Sequence, residues 1–245
     1  MPPPPDEKLP RNPAGDASAL RRRLSTAFLY LVTPATPGAG DLDELLPRVL
    51  EAGVDLVQLR EKEVEAGPLL RYCEIVRRRT SEFGALFVVN DRVDVALASG
   101  ADGVHLGQDD LPPEEARRQL GPVPLLGLST HSEGQFLAAL AAGADYAAVG
   151  PVFATPTKPG RPAVGLDLVG FAADRADRPV FAIGGVDSGN LPVVMEAGAR
   201  RVAVVRAITE SDDPAAAAFQ LSAALRAPAG TPGIRPGTAG PASSR

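Results

Sequence analysis

Short runs of almost wholly apolar residues recur along the middle of the chain and predict buried β-strands. Their apolar continuity indicates burial on both faces, as is typical of parallel sheets. The eight runs lie at residues 28–32, 54–59, 85–89, 103–106, 123–128, 146–149, 179–183 and 201–205.

Segments of helical character, rich in Ala, Leu, Arg and Glu, separate most of these runs. This alternation predicts the α/β class, with a (β/α)8 TIM barrel as the architecture and a doubly wound open sheet as the alternative. A weak repeat supports the barrel, because a triplet that starts with Gly precedes every second run. Its copies are Gly53–Asp55, Gly100–Asp102, Gly143–Asp145 and Gly198–Arg200. Each Gly suits the end of a helix, so the repeat indicates packing rather than chemistry.

The two ends of the chain lack this periodicity. Residues 1–24 open with four prolines in a row, and residues 227–245 are mostly Ala, Pro, Gly, Ser and Thr. Both stretches are predicted to be disordered tails around a catalytic domain of residues 25–226. For the basic triplet 21–23, a solvated tail is favoured over a contact with acidic partners.

Composition narrows the functional class. The chain has 245 residues with a net charge of −5 and no Trp, which argues against a nucleic-acid-binding protein. Its single cysteine, Cys73, excludes an internal disulfide and a Cys-rich metal site, and favours a cytoplasmic location. No apolar run reaches the roughly 18 residues of a membrane span, so no membrane association is expected. The oligomeric state stays open, and a homo-oligomer is compatible with the sequence.

Polar residues follow the apolar runs, where a barrel carries its active site. Gln58, Arg60 and Lys62 alternate after the second run, so they share one side of a continuing strand. Two cations and an amide suit a phosphate group. A solvated strand end with a Glu61–Lys62 pair is the alternative.

Carboxylates follow the third and fourth runs. Asp91 lies in the sequence Asn90-Asp91-Arg92, and Asp110 ends the segment 107–110. Oxygen ligands on neighbouring loops suit Mg²⁺, which takes one or two protein carboxylates and completes its shell with water and substrate phosphate. Helix capping by these residues explains the spacing equally well.

The fifth run ends at Ser129, Thr130 and His131. His131 is either an acid/base group or a residue at the start of a helix. His105 lies inside the fourth run, so we expect it to be a packed, hydrogen-bonded histidine.

The last three runs end in features that suit phosphate. A long loop after the sixth run carries Thr155, Thr157 and Lys158, whose donors fit a phosphate or diphosphate. Its length suits a mobile lid, with an ordinary surface loop as the alternative. Gly185 and Arg206 follow the seventh and eighth runs, where barrels often bind phosphate.

Together these segments resemble the thiamine-phosphate synthase family. The resemblance extends from about residue 28 to residue 206, and the segments are jointly specific although each is modest alone. The matching segments are residues 58–62, 90–92, 100–110, 127–131, 143–158 and 183–186.

The resemblance implies a (β/α)8 barrel that joins hydroxymethylpyrimidine diphosphate to thiazole phosphate, with or without a carboxyl group on the thiazole, and releases diphosphate. It implies Mg²⁺ ligands at Asp91 and Asp110. The pyrimidine diphosphate would be held by Gln58, Arg60, Lys62, Asn90, Ser129 and Lys158. The catalytic residues among these would be Arg60, Lys62, Ser129 and Lys158. The thiazole phosphate would be held by Thr155, Thr157, Gly185, Val205 and Arg206.

One position departs from the family pattern, which usually has Ser where this chain has Arg206. The arginine either strengthens phosphate binding or crowds the site. Two other functions stay open: a thiazole tautomerase, which would use His131 and no metal, and a phosphate-ligand sensor without turnover. The complete diphosphate apparatus favours the synthase.

Overall fold

The structure is a computed structural model that describes residues 16–155 and 162–227. Eight parallel strands pair in sequence order and close into a barrel, which confirms the (β/α)8 prediction over the open sheet. The first and last residues of every strand lie within two residues of the ends of the predicted run. The strands are β1 Leu29–Thr33, β2 Leu56–Leu59, β3 Leu86–Asn90, β4 Gly103–Leu106, β5 Leu125–Thr130, β6 Tyr146–Val149, β7 Val180–Ile183 and β8 Val202–Val204.

Helices connect the strands and cover the outside of the barrel with apolar faces. Within residues 16–155 and 162–227, no helix combines the length and hydropathy that crossing a membrane requires. The helices are α1 Ala17–Ser25, α2 Leu42–Glu51, α3 Ala66–Glu82, α4 Val93–Ser99, α5 Pro113–Leu120, α6 Glu133–Ala141, α7 Gly165–Arg175, α8 Leu191–Glu196, α9 Arg206–Thr209 and α10 Pro214–Arg226.

The barrel interior has its own core, separate from the core between strands and helices. Side chains alternate along each strand, so every second one points inward. Tyr30, Tyr146 and Phe181 are the largest of these and are almost fully buried. Their rings form T-shaped contacts, with the Phe181 ring centroid 5.2 Å from that of Tyr30 and 5.7 Å from that of Tyr146. These rings leave the upper interior, at the carboxyl ends of the strands, for other side chains.

The repeated triplets serve the opposite end of the barrel. Asp55, Asp102 and Asp145 each accept a hydrogen bond from a backbone N–H at the start of β1, β3 and β5 respectively. The Gly of every triplet has a positive φ, as a helix stop followed by a turn requires. Each carboxylate is also paired with arginine: Arg226, Arg77, and Arg21 with Arg117. The repeat is therefore a packing device, as predicted.

The prediction that the N-terminal tail is disordered up to residue 24 is wrong for residues 16–24. Helix α1 closes the lower end of the barrel with Leu20 and Leu24, which join the interior core. Arg21 pairs with Asp145 at 2.7 Å, and Arg23 donates to the carbonyl groups of residues 84 and 85. These partners are distant in sequence, so local periodicity did not reveal the helix. Residues 1–15 and 228–245 of the predicted tails lie outside the described residues.

The helix contact predicts a large effect on stability. Leu24 is 1% exposed, so Leu24→Ala should lower the free energy of unfolding by about 2–5 kcal/mol, because it leaves a cavity below the barrel. Leu97 is 48% exposed on α4, and Leu97→Ala should cost less than about 1 kcal/mol. Chemical denaturation of the full chain measures both. Equal losses would show that α1 does not close the barrel.

Candidate functional site

Polar side chains line the upper interior of the barrel. Gln58, Asn90 and Ser129 occupy inward positions at or near the carboxyl ends of β2, β3 and β5, and they are 3%, 6% and 7% exposed. A cavity of about 330 Å³ lies beside Ser129 and extends along β5 to β8. The site thus has a polar part at β2 to β4 and a cavity at β5 to β8.

The charged residues after β2 contact neighbouring loops rather than only solvent. Glu61 accepts the backbone N–H of Ala35 at 2.5 Å, so it fixes the loop after β1. Lys62 is 56% exposed and lies 3.4 Å from a carboxylate oxygen of Asp91. Arg60 is half-buried. Lys62 therefore lies next to a predicted metal ligand, and the Glu61–Lys62 pair is not the arrangement found.

Asp91 and Asp110 converge, as the metal hypothesis requires. Their carboxyl groups lie within hydrogen-bonding reach of each other, and Asp110 also accepts the backbone N–H of Gly107 at 2.7 Å. Neither caps a helix, because α4 begins after Arg92 and α5 after Pro112, both without a side-chain cap. The helix-capping alternative is wrong for this pair.

The two carboxyl groups shift each other's pKa in opposite directions. Burial raises the pKa of Asp91, and the neighbouring Asp110 carboxyl raises it further, while Lys62 opposes both. Burial also disfavours the ionised form of Asp110, but hydrogen bonds with Asp91 and the N–H of Gly107 leave its pKa below the ordinary value. Two half-buried carboxylates within hydrogen-bonding reach repel each other when both are ionised. A divalent cation between them would remove that repulsion.

The donor set suits a hard cation with an open coordination shell. In the described ranges, no group of three or more His, Cys, Asp or Glu side chains could hold a metal ion. The Asp91–Asp110 pair can supply two oxygen ligands and would leave the other positions to water and substrate oxygens.

Asn90 has an unsatisfied amide. Its Nδ2 is the one buried side-chain polar atom of the described residues that lacks a hydrogen-bond partner. A buried donor in this state costs about 1–3 kcal/mol. It lies at an inward position at the end of β3, in the polar part of the site.

Ser129 is held by a buried histidine. His105 Nε2 lies 2.9 Å from Ser129 Oγ, and His105 Nδ1 lies 3.2 Å from the Tyr146 hydroxyl. The prediction of a packed, hydrogen-bonded histidine is confirmed. Sequence analysis missed Tyr30 and Tyr146, because both lie in apolar runs that predict core residues. The choice of tyrosine rather than phenylalanine at those positions could have indicated that a hydroxyl group is needed inside the barrel.

The cavity contains most of the residues expected to hold a phosphate. Its lining includes Thr155, Gly185, Val205 and Arg206. The Arg206 guanidinium lies 3.7 Å from the Glu210 carboxylate, which also lines the cavity. Thr157 and Lys158 lie outside the described residues, so their positions stay predictions.

His131 also lines the cavity. Its Nδ1 is hydrogen-bonded to the carbonyl of Gly150, and its backbone N–H donates to Gln135 at 2.8 Å. Ser132, the next residue, caps α6. His131 therefore lies at a helix start, as one of the two expectations had it, and it also lines the cavity. The acid/base role stays a prediction.

Comparison with known proteins agrees with this geometry. Residues 29–208 match the family model described as thiamine monophosphate synthase. The chain is 52% identical over 226 residues to the thiamine-phosphate synthase of Mycobacterium sp. strain KMS, across 88% of this chain and 97% of that protein. The thiamine-phosphate synthase of Gloeobacter violaceus is 54% identical over 195 residues, across 80% of this chain and 56% of that protein.

Solved structures agree as well. Thiamine phosphate pyrophosphorylase from Pyrococcus furiosus superposes with a TM-score of 0.75 at 33% identity, across 84% of this chain and 97% of that chain. A 3-hexulose-6-phosphate synthase has a TM-score of 0.58 at 22% identity, across 80% of this chain and 99% of that chain, and shares the fold alone. The family match spans all eight strands and every predicted site residue. The chain therefore belongs to the thiamine monophosphate synthase family, a family of transferases in thiamine biosynthesis.

Proposed function

We propose that this chain joins hydroxymethylpyrimidine diphosphate to thiazole phosphate and releases thiamine phosphate and diphosphate. The observation that carries the proposal is the meeting of two unlike half-sites at Ser129. Carboxylates, cations and an unsatisfied amide lie on one side, and a cavity large enough for a small ligand lies on the other.

The polar half would bind the diphosphate. Arg60 and Lys62 would neutralise its negative charge, and the Asn90 amide would donate to one of its oxygens. The sequence adds Lys158 to this set. Asp91 and Asp110 would hold Mg²⁺, which when bound stabilises charge on phosphate oxygens.

The cavity half would bind the thiazole phosphate. Thr155 and Thr157 would donate hydroxyl hydrogens, and the backbone around Gly185 and Val205 would donate N–H groups. Arg206 would add a positive charge. Gln58 and Ser129 would hold the pyrimidine between the two halves.

The chemistry needs no nucleophilic side chain. The bond between the pyrimidine CH₂ and the diphosphate oxygen breaks, and the electron-rich aminopyrimidine stabilises the resulting cation. The thiazole nitrogen then donates its electron pair to the CH₂ carbon. The protein neutralises the departing charge and holds the second substrate close, which also limits attack by water.

We also propose a cytoplasmic location. Cys73 is buried in α3, and burial raises the pKa of its thiol to about 12, so it is suited to a structural role in a reducing compartment.

Turnover assays test the function directly. The purified chain with both substrates and Mg²⁺ should form thiamine phosphate and diphosphate in equal amounts, and a chelator should stop the reaction. Conversion of a thiazole isomer without Mg²⁺ would instead identify a tautomerase that uses His131. Binding of both substrates without product would identify a sensor.

Removal of one metal ligand should raise the requirement for Mg²⁺. Asp91 has a φ of +60°, which Asn tolerates better than most residues, so Asp91→Asn removes the charge and keeps the backbone. We expect the Mg²⁺ concentration for half-maximal rate to rise at least about tenfold, equivalent to about 1.4 kcal/mol of binding. Asp109→Asn is the matched control and should leave it unchanged. Identical Mg²⁺ titrations for both variants would refute the role of Asp91.

Loss of the loop cation should slow turnover. Lys158→Ala is expected to lower kcat at least about tenfold, because less positive charge then faces the leaving diphosphate. Lys8→Ala makes the same chemical change far from the motif and should leave kcat unchanged. A wild-type kcat for Lys158→Ala in steady-state assays would remove Lys158 from the site.

Arg206 should control affinity for the thiazole phosphate. Arg206→Ser is expected to raise the KM for that substrate about threefold, in the range of a partly exposed charge contact, and to leave the KM for the pyrimidine diphosphate unchanged. Glu210→Gln releases Arg206 from its counterion and should lower the same KM. Unchanged KM values in both variants would show that the guanidinium does not contact substrate.

A further inference from the structure

A continuous hydrogen-bonded network crosses the barrel from Gln58 to Ser129. The Gln58 amide donates to the Tyr30 hydroxyl, which lies 3.1 Å from the Tyr146 hydroxyl. His105 continues the network, with Nδ1 3.2 Å from Tyr146 and Nε2 2.9 Å from Ser129 Oγ. All five side chains are buried, with at most 7% exposed. The two ends are residues proposed to hold the pyrimidine, and the three middle residues have no role in that proposal.

The fold fixes the middle of the network. Strand β5 has Gly127 where the Tyr146 ring passes, and a Cβ at that position would lie 2.0 Å from Cζ of the ring. Phe181 packs against the edges of Tyr30 and Tyr146 from the other side. The tyrosine hydroxyls therefore have little freedom to choose other partners.

Every hydrogen bond of the network can form if each residue donates to the next one in the order from Gln58 to Ser129. Tyr30 accepts from Gln58, so its own hydrogen goes to the Tyr146 oxygen. Tyr146 then donates to Nδ1 of His105, which leaves the ring hydrogen on Nε2 to be donated to Ser129. If the bonds from Tyr146 onward ran the other way, Ser129 would donate to His105 and His105 would donate to Tyr146. The buried Tyr146 hydrogen would then have no acceptor in the network, at a cost of about 1–3 kcal/mol.

Burial supports this arrangement. It raises the pKa values of Tyr30 and Tyr146 well above the ordinary value of tyrosine. Both hydroxyls therefore keep the hydrogens that the network requires.

We propose that Tyr30, Tyr146 and His105 are positioning residues that fix Gln58 and orient Ser129 as a hydrogen-bond donor to the pyrimidine substrate. Ser129 already accepts a hydrogen from His105, so its own hydroxyl hydrogen is directed into the cavity that it lines. The role rests on the proposed function. It assigns the network to binding and orientation of the pyrimidine diphosphate and not to the thiazole half of the site.

Tyr146→Phe tests the proposal, because it removes one hydroxyl and leaves the ring in its place. We expect kcat/KM for the pyrimidine diphosphate to fall at least about fivefold, the effect of one or more hydrogen bonds, with the KM for thiazole phosphate unchanged. Tyr72→Phe is the matched control on α3, where Tyr72 packs against the outer core. It should leave both substrates unaffected.

A pair of histidine variants separates positioning from structural support. His105→Gln can place an amide nitrogen near the position of Nε2 and keep the bond to Ser129. His105→Asn is shorter and can reach only towards Tyr146. We expect the Gln variant to retain more of the wild-type kcat/KM than the Asn variant, with similar thermal unfolding midpoints for the two. Equal activities would contradict the proposal.

The affinity of each variant for the pyrimidine diphosphate can be measured by calorimetry, so this test does not depend on turnover. Weaker binding by Tyr146→Phe than by Tyr72→Phe supports the network even if the wild-type chain makes no thiamine phosphate, in which case only the proposed reaction fails. Wild-type binding and wild-type kcat/KM in Tyr146→Phe would overturn the network. So would parallel losses for both substrates that follow a lower unfolding midpoint.

Discussion

A closed parallel barrel of eight strands turns every second side chain into one small interior, and the site depends on how that interior is filled. Three aromatic rings and aliphatic side chains occupy the lower part. Helix α1 closes it from below with Leu20 and Leu24. The upper part is left to Gln58, Asn90 and Ser129. Gln58 and Ser129 have partners in Tyr30 and His105, whereas the Asn90 amide has none among the described residues. The packed aromatic and aliphatic side chains therefore confine the site to the carboxyl ends of the strands.

The Asp91–Asp110 pair shows that this upper part is not arranged for stability. The two carboxyl groups lie within hydrogen-bonding reach of each other, so they repel strongly whenever both are ionised. Lys62 offsets only part of this repulsion, because its ammonium group is half exposed and screened by solvent. The pair also requires Asp91 to adopt a positive φ. Repulsion, an unusual backbone conformation and an unsatisfied amide at Asn90 thus occur together at this site, and such strained polar groups are typical of functional sites. The proposed cation and anionic ligand would relieve the repulsion and satisfy the amide.

The sequence predicted the features that local pattern determines. Strands that are buried on both faces appear in the sequence as continuous apolar runs. The residues that follow them, such as Lys62, Asp91 and Arg206, lie at the end of the barrel where the strands have their carboxyl ends. Helix α1 was missed because Leu20 and Leu24 gain their partners only after the barrel has closed. The tyrosines were missed because their rings belong to the core and only their hydroxyl groups belong to the site. The partners of a side chain across a barrel are set by closure, which no local window contains.

The division of the site into two unlike halves fits a reaction in which a charged group leaves one side of a carbon atom and a second substrate attacks from the other side. Departing diphosphate needs cations and donors on one side of the reacting carbon, whereas the incoming thiazole needs a cavity on the other. Neighbouring strands supply one kind of group each, because β2 to β4 end in charged loops and β5 to β8 surround the cavity. Ser129 lies on β5, at the boundary between the two parts, and lines the cavity. The hydrogen-bonded network that begins at Gln58 on β2 therefore ends at this boundary.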